Sequence, residues 1–198
     1  MIDRDRERLA EALAFALEAH GEQTRKGTAI PYVSHLLQVA GLVLEHGGDA
    51  TQAVAALLHD CVEDCDDVEL DTIERRFGAE VAAIVDVCTD VLPGDRPDAK
   101  SPWLERKQRF VTQLSGADAR ARLVAGCDKL HNLRCIVSDL RQQGGTSLAR
   151  FSSSPEQTRG YYEAARDALA PDLPDALVEE LDALLEELRG FVAGVSFA

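Results

Sequence analysis

Apolar residues recur at helical spacing along almost the whole chain, and this period constrains the fold more than any other feature. Near the N-terminus, Leu9, Leu13, Ala16 and Leu17 fall on one face of a helix. The sequence contains no alternating apolar and polar pattern longer than four residues, which would indicate a strand. A chain of 198 residues is long enough to bury one hydrophobic core. We therefore predict an all-α protein, a single compact domain of about eight to ten helices over residues 1–198.

Glycine, proline and N-capping residues divide the chain into these helices. Gly47 and Gly48 end one helix, and Asp49 is placed to cap the next. Ser101 and Pro102 provide a cap and a first turn for a later helix. Besides the helix that follows Pro102, the predicted helices cover about residues 4–20, 33–46, 50–64, 71–77, 79–90, 117–142, 155–170 and 174–192. Loops are predicted at 21–32 and 91–100.

The composition argues against several classes of protein. The chain has 21 Lys and Arg residues and 35 Asp and Glu residues, a formal net charge of −14. Nucleic acid is therefore not expected as a partner, because binding phosphate backbones requires a basic surface. A few local cations could still hold a small anionic ligand. No apolar run approaches about 18 residues, so we expect no membrane-spanning or signal segment.

The cysteines indicate a reducing, cytoplasmic location. They are odd in number and include no CxxC pair. Two of them, Cys61 and Cys65, lie four residues apart on a predicted helix, where they could bind a metal or fill the core as small buried residues. Burial is the more frequent role of a free cysteine.

The predicted third helix carries the most informative segment. On an unbroken helix, His59, Asp60, Glu63 and Asp64 share one face, opposite the apolar residues. His59 then lies next to Glu63, and Asp60 next to Asp64, at the i,i+4 spacing. Taken alone, this pattern is typical of a solvated acidic surface.

The long helix over residues 117–142 favours a different interpretation. Its apolar residues surround nearly the whole cylinder, which predicts a central, buried helix. Asp128 lies in the middle of it, and a buried carboxylate is unfavourable unless it is paired or binds a metal. An ion pair with Arg134 or Arg25 is the structural alternative to a metal.

His35 adds a second imidazole near the start of the predicted helix over 33–46. Together, His35, His59, Asp60 and Asp128 provide two imidazoles and two carboxylates from three predicted helices. A mixed nitrogen and oxygen set of this kind suits Mn, Fe, Co, Ni or Zn and leaves positions open for water.

At this point the sequence resembles a known family. The segments RKGTAIPYVSH, AALLHDCVED, FGAEVAAIVDVCTD and DKLHNLR occur in this order. They are similar to the HD-domain metal-dependent phosphohydrolases, and more closely to the hydrolase domain of RelA/SpoT-type alarmone enzymes. The resemblance covers about residues 8–170, and the chain looks like the small stand-alone members.

The resemblance implies an activity and a role for each matching residue. The implied reaction removes the 3′-pyrophosphate of guanosine 3′,5′-bis(diphosphate), the alarmone, to give GDP and pyrophosphate. Mn²⁺ would be held by His35, His59, Asp60 and Asp128. Glu63 and Asp64 would be catalytic, flanking the attacking water. The nucleotide would be contacted by Arg25, Lys26, Asn132 and Lys107.

The sequence departs from the family pattern in two places, and it leaves several questions open. Leu36 stands where the family usually has Pro, and Ala125-Gly126-Cys127 where it typically has Lys-Leu-Ala. One alternative function is an HD-type phosphatase or pyrophosphatase for another nucleotide; a second is a nucleotide sensor without turnover. The sequence leaves the oligomeric state open. It also leaves open whether the 174–192 helix caps the domain or meets a partner chain.

Overall fold

A computed structural model describes residues 2–91 and 101–194, and it is all-α as predicted. Among the described residues the only β-type pairing is an isolated antiparallel bridge between Thr24 and Pro31. The α-helices are α1 (Asp3–His20), α2 (Val33–Glu45), α3 (Ala50–Leu58), α4 (Cys61–Asp64), α5 (Leu70–Phe77), α6 (Ala79–Cys88), α7 (Trp103–Gly116), α8 (Ala119–Gln143), α9 (Pro155–Leu169) and α10 (Asp175–Gly194). Two 3₁₀ helices, η1 (Gly144–Arg150) and η2 (Ala170–Asp172), flank α9.

Three of the described helices begin with a side-chain N-cap, which is Asp49 for α3, Asp118 for α8 and Ser154 for α9. The side chain of Asp49 accepts a hydrogen bond of 3.0 Å from the backbone N–H of Gln52, and the side chain of Gln52 accepts one of 3.0 Å from the Asp49 N–H. The predicted start at Ser101 is displaced: α7 begins at Trp103, with Pro102 at the N-cap position and no side-chain cap. Apart from Val91, the loop predicted over 91–100 lies outside the described residues.

Helix α8 runs through the centre of the fold. It packs against α2, α3 and α6 on one side and against α9 and α10 on the other. Thirteen of its residues are buried, including Asp128 and His131. The prediction of a central buried helix is therefore confirmed, and α8 carries polar side chains into the interior.

The predicted third helix is interrupted, which corrects the assignment of one helix over residues 50–64. Helix α3 ends at Leu58, and the single turn α4 begins at Cys61. Asp60, between them, has φ −95° and ψ −6°, the region where turn and active-site residues are often found. His59 is only 1% exposed, so the interpretation of this segment as a solvated surface is wrong.

The cysteines are all free, and four of the five are buried. Cys61 and Cys65 both contact the ring of His20: the distances are 3.6 Å from Cys61 Sγ to Nε2 and 3.6 Å from Cys65 Sγ to Nδ1. They therefore pack as small interior residues around an imidazole, the role favoured above. None of the described helices is long and apolar enough to cross a bilayer.

Helix α10 caps the domain. Its leucines join the same core cluster as residues of α1 to α9, and its contacts are to α8, α9 and η1. The departure at Gly126 explains how α10 comes so close to α8. A Cβ at this position would lie 2.9 Å from both terminal carbons of Leu173 and 3.3 Å from Leu177.

This close approach predicts that Gly126→Leu, the residue typical of the family here, destabilises this chain. Inserting a side chain into a packed core typically costs about 1–3 kcal/mol, and thermal unfolding followed by circular dichroism measures the loss. Gly160→Ala, at an exposed position of α9, is the control, because a Cβ there meets nothing within 4 Å. The control is expected to be neutral or to stabilise by about 0.4–1 kcal/mol. Equal melting temperatures for Gly126→Leu and the wild type would contradict the packing argument.

Candidate metal centre and active site

Three side chains from different helices converge in the interior beside α8. His35 comes from α2, His59 from the end of α3 and Asp128 from the middle of α8, and their ligand atoms all lie within 4.8 Å of one another. Asp128 Oδ1 is 3.1 Å from His35 Nε2 and 3.6 Å from His59 Nε2. Each of the three residues is buried. We call this group the His-His-Asp cluster; it could hold a metal ion.

Asp60 lies at the edge of the His-His-Asp cluster. Its Oδ2 atom is 3.2 Å from His59 Nε2 and 3.4 Å from His35 Nε2. Asp60 lies in the turn between α3 and α4. The fourth residue of the predicted ligand set thus contacts both imidazoles, and its role as a ligand stays a prediction.

Neighbouring groups orient both imidazole rings. His59 Nδ1 is 2.8 Å from the carbonyl oxygen of Ala56, so this nitrogen carries the proton and donates it. His35 Nδ1 is 2.6 Å from Nδ1 of His131. Burial, followed by the charge of nearby groups, lowers the pKa of His131 to about 4, so this ring is neutral and can accept from His35. Each ligand histidine is then left with Nε2 facing the cluster.

The donor atoms of the cluster fit a cation. Both Nε2 atoms are buried without a hydrogen-bond partner among the described residues, and carboxylate oxygens lie 3.1–3.6 Å from them. Without a positive charge, lone pairs would face lone pairs in a medium of low dielectric constant. Metal-binding histidines usually donate their other ring N–H to a hydrogen-bond acceptor, and both rings have such an acceptor here.

The pKa values express the same preference for positive charge. Burial alone lowers the pKa of His59, but the charges and hydrogen bonds of Asp60 and Asp128 outweigh burial and raise that pKa well above 6.5. Burial also opposes ionisation of Asp128, yet Lys129 and the two imidazoles hold its pKa well below the ordinary value. Both shifts favour positive charge in the cluster, which a bound metal ion would also supply.

Asp128 is paired with neither of the two arginines considered above, and its ion-pair partner is Lys129. Arg134 instead forms two hydrogen bonds with Glu180 of α10 at 2.6 and 2.7 Å. Arg25 reaches Asp128 only through Asn132: its Nη2 is 2.5 Å from Asn132 Oδ1, and Asn132 Nδ2 is 2.5 Å from Asp128 Oδ1. Lys129 Nζ contacts Asp128 Oδ2 at 2.6 Å.

Glu63 and Asp64, the predicted catalytic pair, lie on the single turn α4 next to the cluster. Glu63 Oε2 accepts a 3.0 Å hydrogen bond from the backbone N–H of Asp90. Asp64 Oδ2 is 2.9 Å from the hydroxyl of Tyr32, and the same hydroxyl is 2.7 Å from Asp60 Oδ2. Both carboxylates are therefore held in fixed directions.

One large cavity contains these groups. Its volume is about 1160 Å³, and it is lined by Asp60, Glu63, Asp64, Asp128 and Asn132 together with basic side chains. The basic residues of the lining are Arg25, Lys26, Arg106, Lys107, Lys129, Arg134 and Arg150. All four predicted nucleotide contacts thus face one cavity, and their contact with a nucleotide remains a prediction.

A buried carboxylate that the sequence argument missed organises one wall of this cavity. Asp90 is 2% exposed, and its Oδ2 lies 2.9 Å from Arg106 Nη1 and 2.5 Å from Lys107 Nζ. Two cations around one carboxylate leave a net positive charge beside Glu63. Asp90 is the last residue of the helix predicted over 79–90, two residues beyond the end of α6 at Cys88, and nothing in that prediction marked it as buried.

Tyr32 was also missed. It precedes His35 by three residues in the segment PYVSH, and that position gave no reason to separate it from an ordinary aromatic residue of a loop. Only the fold brings its hydroxyl to two carboxylates from α4 and the preceding turn.

Comparison with known proteins agrees with this geometry. The sequence matches the HD domain family over residues 12–153. The chain belongs to the HD-domain family. A mouse protein, guanosine-3′,5′-bis(diphosphate) 3′-pyrophosphohydrolase MESH1, is 41% identical over 129 residues, which are 64% of this chain and 68% of the mouse protein.

A longer relative and a solved structure extend the comparison. A probable guanosine-3′,5′-bis(diphosphate) 3′-pyrophosphohydrolase from Synechocystis is 31% identical over 163 residues, or 82% of this chain and 19% of the relative. The structure of a metazoan SpoT orthologue, described as hydrolysing ppGpp, superposes with a TM-score of 0.72 at 28% identity. The superposition covers 93% of this chain and 96% of that one. The resemblance to RelA/SpoT-type hydrolases is thereby confirmed.

The His-His-Asp cluster predicts that the purified protein binds about one divalent transition metal per chain, and that His59→Ala or Asp128→Ala abolishes this binding. Either change removes a metal-binding atom from the His-His-Asp cluster and leaves a remaining charged group of the cluster without its partner. Elemental analysis after loading with Mn²⁺ measures the metal content.

His46→Ala is the matched control, because His46 ends α2 and is not part of the cluster. It is expected to bind metal like the wild type. A wild-type protein that remains free of metal after loading would refute the assignment of the cluster.

Proposed function

We propose that this chain hydrolyses the 3′-pyrophosphate of guanosine 3′,5′-bis(diphosphate), giving GDP and pyrophosphate, with one bound divalent metal ion. The observation that carries the proposal is the position of the His-His-Asp cluster. Through Asp128, the cluster borders a cavity that is also lined by Asp60, Glu63 and Asp64 and by a set of basic side chains. The 41% identity to MESH1 supports the choice of substrate.

Four residues would hold the metal: His35, His59, Asp60 and Asp128. Two nitrogen and two oxygen donors suit a borderline divalent cation, and we propose Mn²⁺ because the related family implies it. Once bound, the ion would act as a Lewis acid toward a phosphoryl oxygen and a water molecule.

Glu63 and Asp64 would carry the proton transfers. In the reaction, water attacks the phosphorus attached to the ribose 3′ oxygen, the bond between that phosphorus and O3′ breaks, and O3′ takes up a proton. One carboxylate would accept the proton of the water, and a carboxyl group would return a proton to O3′. The hydrogen bond from the Asp90 N–H to Glu63 and that from Tyr32 support defined orientations for this task.

The basic wall of the cavity would hold the anionic nucleotide. With a net charge of −14, the protein as a whole repels such a substrate, so binding must depend on local cations. Arg25 offers both charge and a planar surface, while Lys26 and Lys107 offer charge. Asn132, hydrogen-bonded to Arg25 and Asp128, would contact the ribose or the pyrophosphate.

We also propose a cytoplasmic location. The five cysteines are free in the structure, which is typical of a reducing compartment.

The first functional prediction separates catalysis from metal binding. Glu63→Gln and Asp64→Asn are expected to keep the metal and to lower kcat by about 10²–10⁴, the usual contribution of general acid–base catalysis. Asp67→Asn is the matched control, since Asp67 is exposed in the neighbouring turn. Product release is followed by ion-exchange chromatography. Loss of metal in both variants would make the two residues ligands, and full activity would exclude them from catalysis.

The second functional prediction concerns recognition of the substrate. Arg25→Ala is expected to raise KM for the alarmone by about 10-fold or more, as for loss of a hydrogen bond to a charged group. Arg25→Lys should restore only part of the affinity, because it returns the charge without the planar group. The control is Arg75→Ala on exposed α5, where Arg75 pairs with Asp71.

A substrate panel tests the proposed reaction itself. GDP should not be hydrolysed, because it has no phosphoryl group on the 3′ oxygen. Hydrolysis of GDP or of a deoxynucleoside triphosphate, with the alarmone unchanged, would instead identify a phosphohydrolase for another nucleotide. Binding of the alarmone without turnover by the metal-loaded protein would identify a sensor.

A further inference from the structure

One hydroxyl group connects the candidate metal site to the candidate acid–base pair. The Tyr32 hydroxyl is 2.7 Å from Asp60 Oδ2 and 2.9 Å from Asp64 Oδ2. Asp60 contacts both cluster imidazoles, whereas Asp64 lies at the end of α4. Nothing in the family motifs quoted above gives Tyr32 a role of its own.

The Tyr32 hydroxyl can donate a hydrogen bond to either Asp60 or Asp64, but not to both at once. A phenol has only one O–H donor. A tyrosine hydroxyl is protonated at neutral pH. Tyr32 is therefore a permanent donor placed between two acceptors.

The ring of Tyr32 is held on several sides. It stacks on His20 with the ring centroids 4.6 Å apart and the planes within 8°. The ring of His35 packs edge-on at 5.9 Å, and the Arg25 guanidinium lies 5.5 Å from the centroid of Tyr32. The backbone N–H donates to the carbonyl oxygen of Gln23 at 2.9 Å. A ring fixed in this way offers its hydroxyl at a constant position.

His20 is itself fixed, which extends the support of the ring into the core. Its Nδ1 is 2.8 Å from Gln23 Oε1, and the thiols of Cys61 and Cys65 contact its two ring nitrogens. His20 is 3% exposed. The stacking partner of Tyr32 therefore cannot turn away without disrupting buried contacts.

We propose that Tyr32 is a positioning residue that sets the carboxylates of Asp60 and Asp64 relative to each other, so that metal binding and catalysis depend on the same hydroxyl. The proposal rests on the proposed function for the roles of Asp60 and Asp64. Hydrogen-bond partners of ligating carboxylates typically affect metal affinity or activity by about 10–100-fold. We expect an effect of this size from the hydroxyl alone.

Tyr32→Phe tests this directly, because it removes the hydroxyl and keeps the stacked ring. The apo protein is titrated with Mn²⁺ and free Mn²⁺ is followed by electron paramagnetic resonance. We expect the Kd for Mn²⁺ to rise by about 10-fold or more, with an unchanged circular dichroism spectrum. At saturating Mn²⁺, kcat for the alarmone should fall while KM stays within about twofold, since Tyr32→Phe leaves the ring beside Arg25 in place.

Tyr161→Phe is the matched control. Tyr161 is also largely buried, but its hydroxyl has no hydrogen-bond partner among the described residues. Its removal is expected to change neither the Kd for Mn²⁺ nor kcat. If Tyr161→Phe and Tyr32→Phe changed the Kd for Mn²⁺ or kcat by the same amount, the effect would not be specific to Tyr32, and its proposed role would be overturned.

A double-mutant cycle tests whether Tyr32 acts through Asp64. If it does, Tyr32→Phe combined with Asp64→Asn should have the same kcat as Asp64→Asn alone. Fully multiplicative losses would overturn this part of the proposal. Wild-type Mn²⁺ affinity and kcat in Tyr32→Phe would overturn all of it.

The metal titration keeps the two proposals distinguishable. It needs no substrate, so a wild type that does not hydrolyse the alarmone would refute the proposed function and leave the test of Tyr32 and Asp60 valid. A wild type that hydrolyses the alarmone, with a Tyr32→Phe variant indistinguishable from it, would refute only the role of Tyr32.

Discussion

The attraction between a cation and a group of buried acceptor atoms is the interaction on which the rest of the site depends. Two imidazole nitrogens and the oxygens of Asp60 and Asp128 meet in the interior, at distances of 3.1–3.6 Å. Such a group is unfavourable without positive charge at its centre. The fold supplies hydrogen-bond acceptors for the outer nitrogens of both rings and places Lys129 against Asp128. These contacts hold the metal-binding atoms in directions that converge on one point.

Helix α8 makes this arrangement possible. Because it packs on several helices at once, its side chains enter the interior in most directions, and Asp128 reaches the cluster from one of them. The neighbouring Gly126 lets the segment around Leu173 and Leu177 approach α8 closely, so α10 covers the opposite side. The carboxylate is thereby held in a rigid, well-packed element, which is the condition for a precise metal site.

The charge of the cavity wall differs from that of the chain as a whole. The chain is strongly acidic overall, yet the cavity wall holds Lys107 and Arg106 against a single buried carboxylate, Asp90. Two cations with one anion leave a local positive charge, which acts over the short distances inside a cavity. Beyond about 8–10 Å, salt screens the surrounding acidic surface. A small anionic ligand can therefore bind to a protein of the same sign.

The sequence by itself determined the fold class, because helical periodicity and capping residues act locally, and Asp49 caps α3 as its side chain predicts. It also indicated the His-His-Asp cluster, since His and Asp in apolar helices are costly without a partner. The tertiary structure decided the rest. The break at His59-Asp60 arises where side chains from α2 and α8 meet the end of α3, and a continuous helical period could not reveal it. Tyr32 and Asp90 became part of the site only because packing joins segments distant in the chain, as in the contact of Tyr32 with Asp60 and Asp64. Contacts between such segments depend on how the helices pack, so a local sequence pattern cannot predict them.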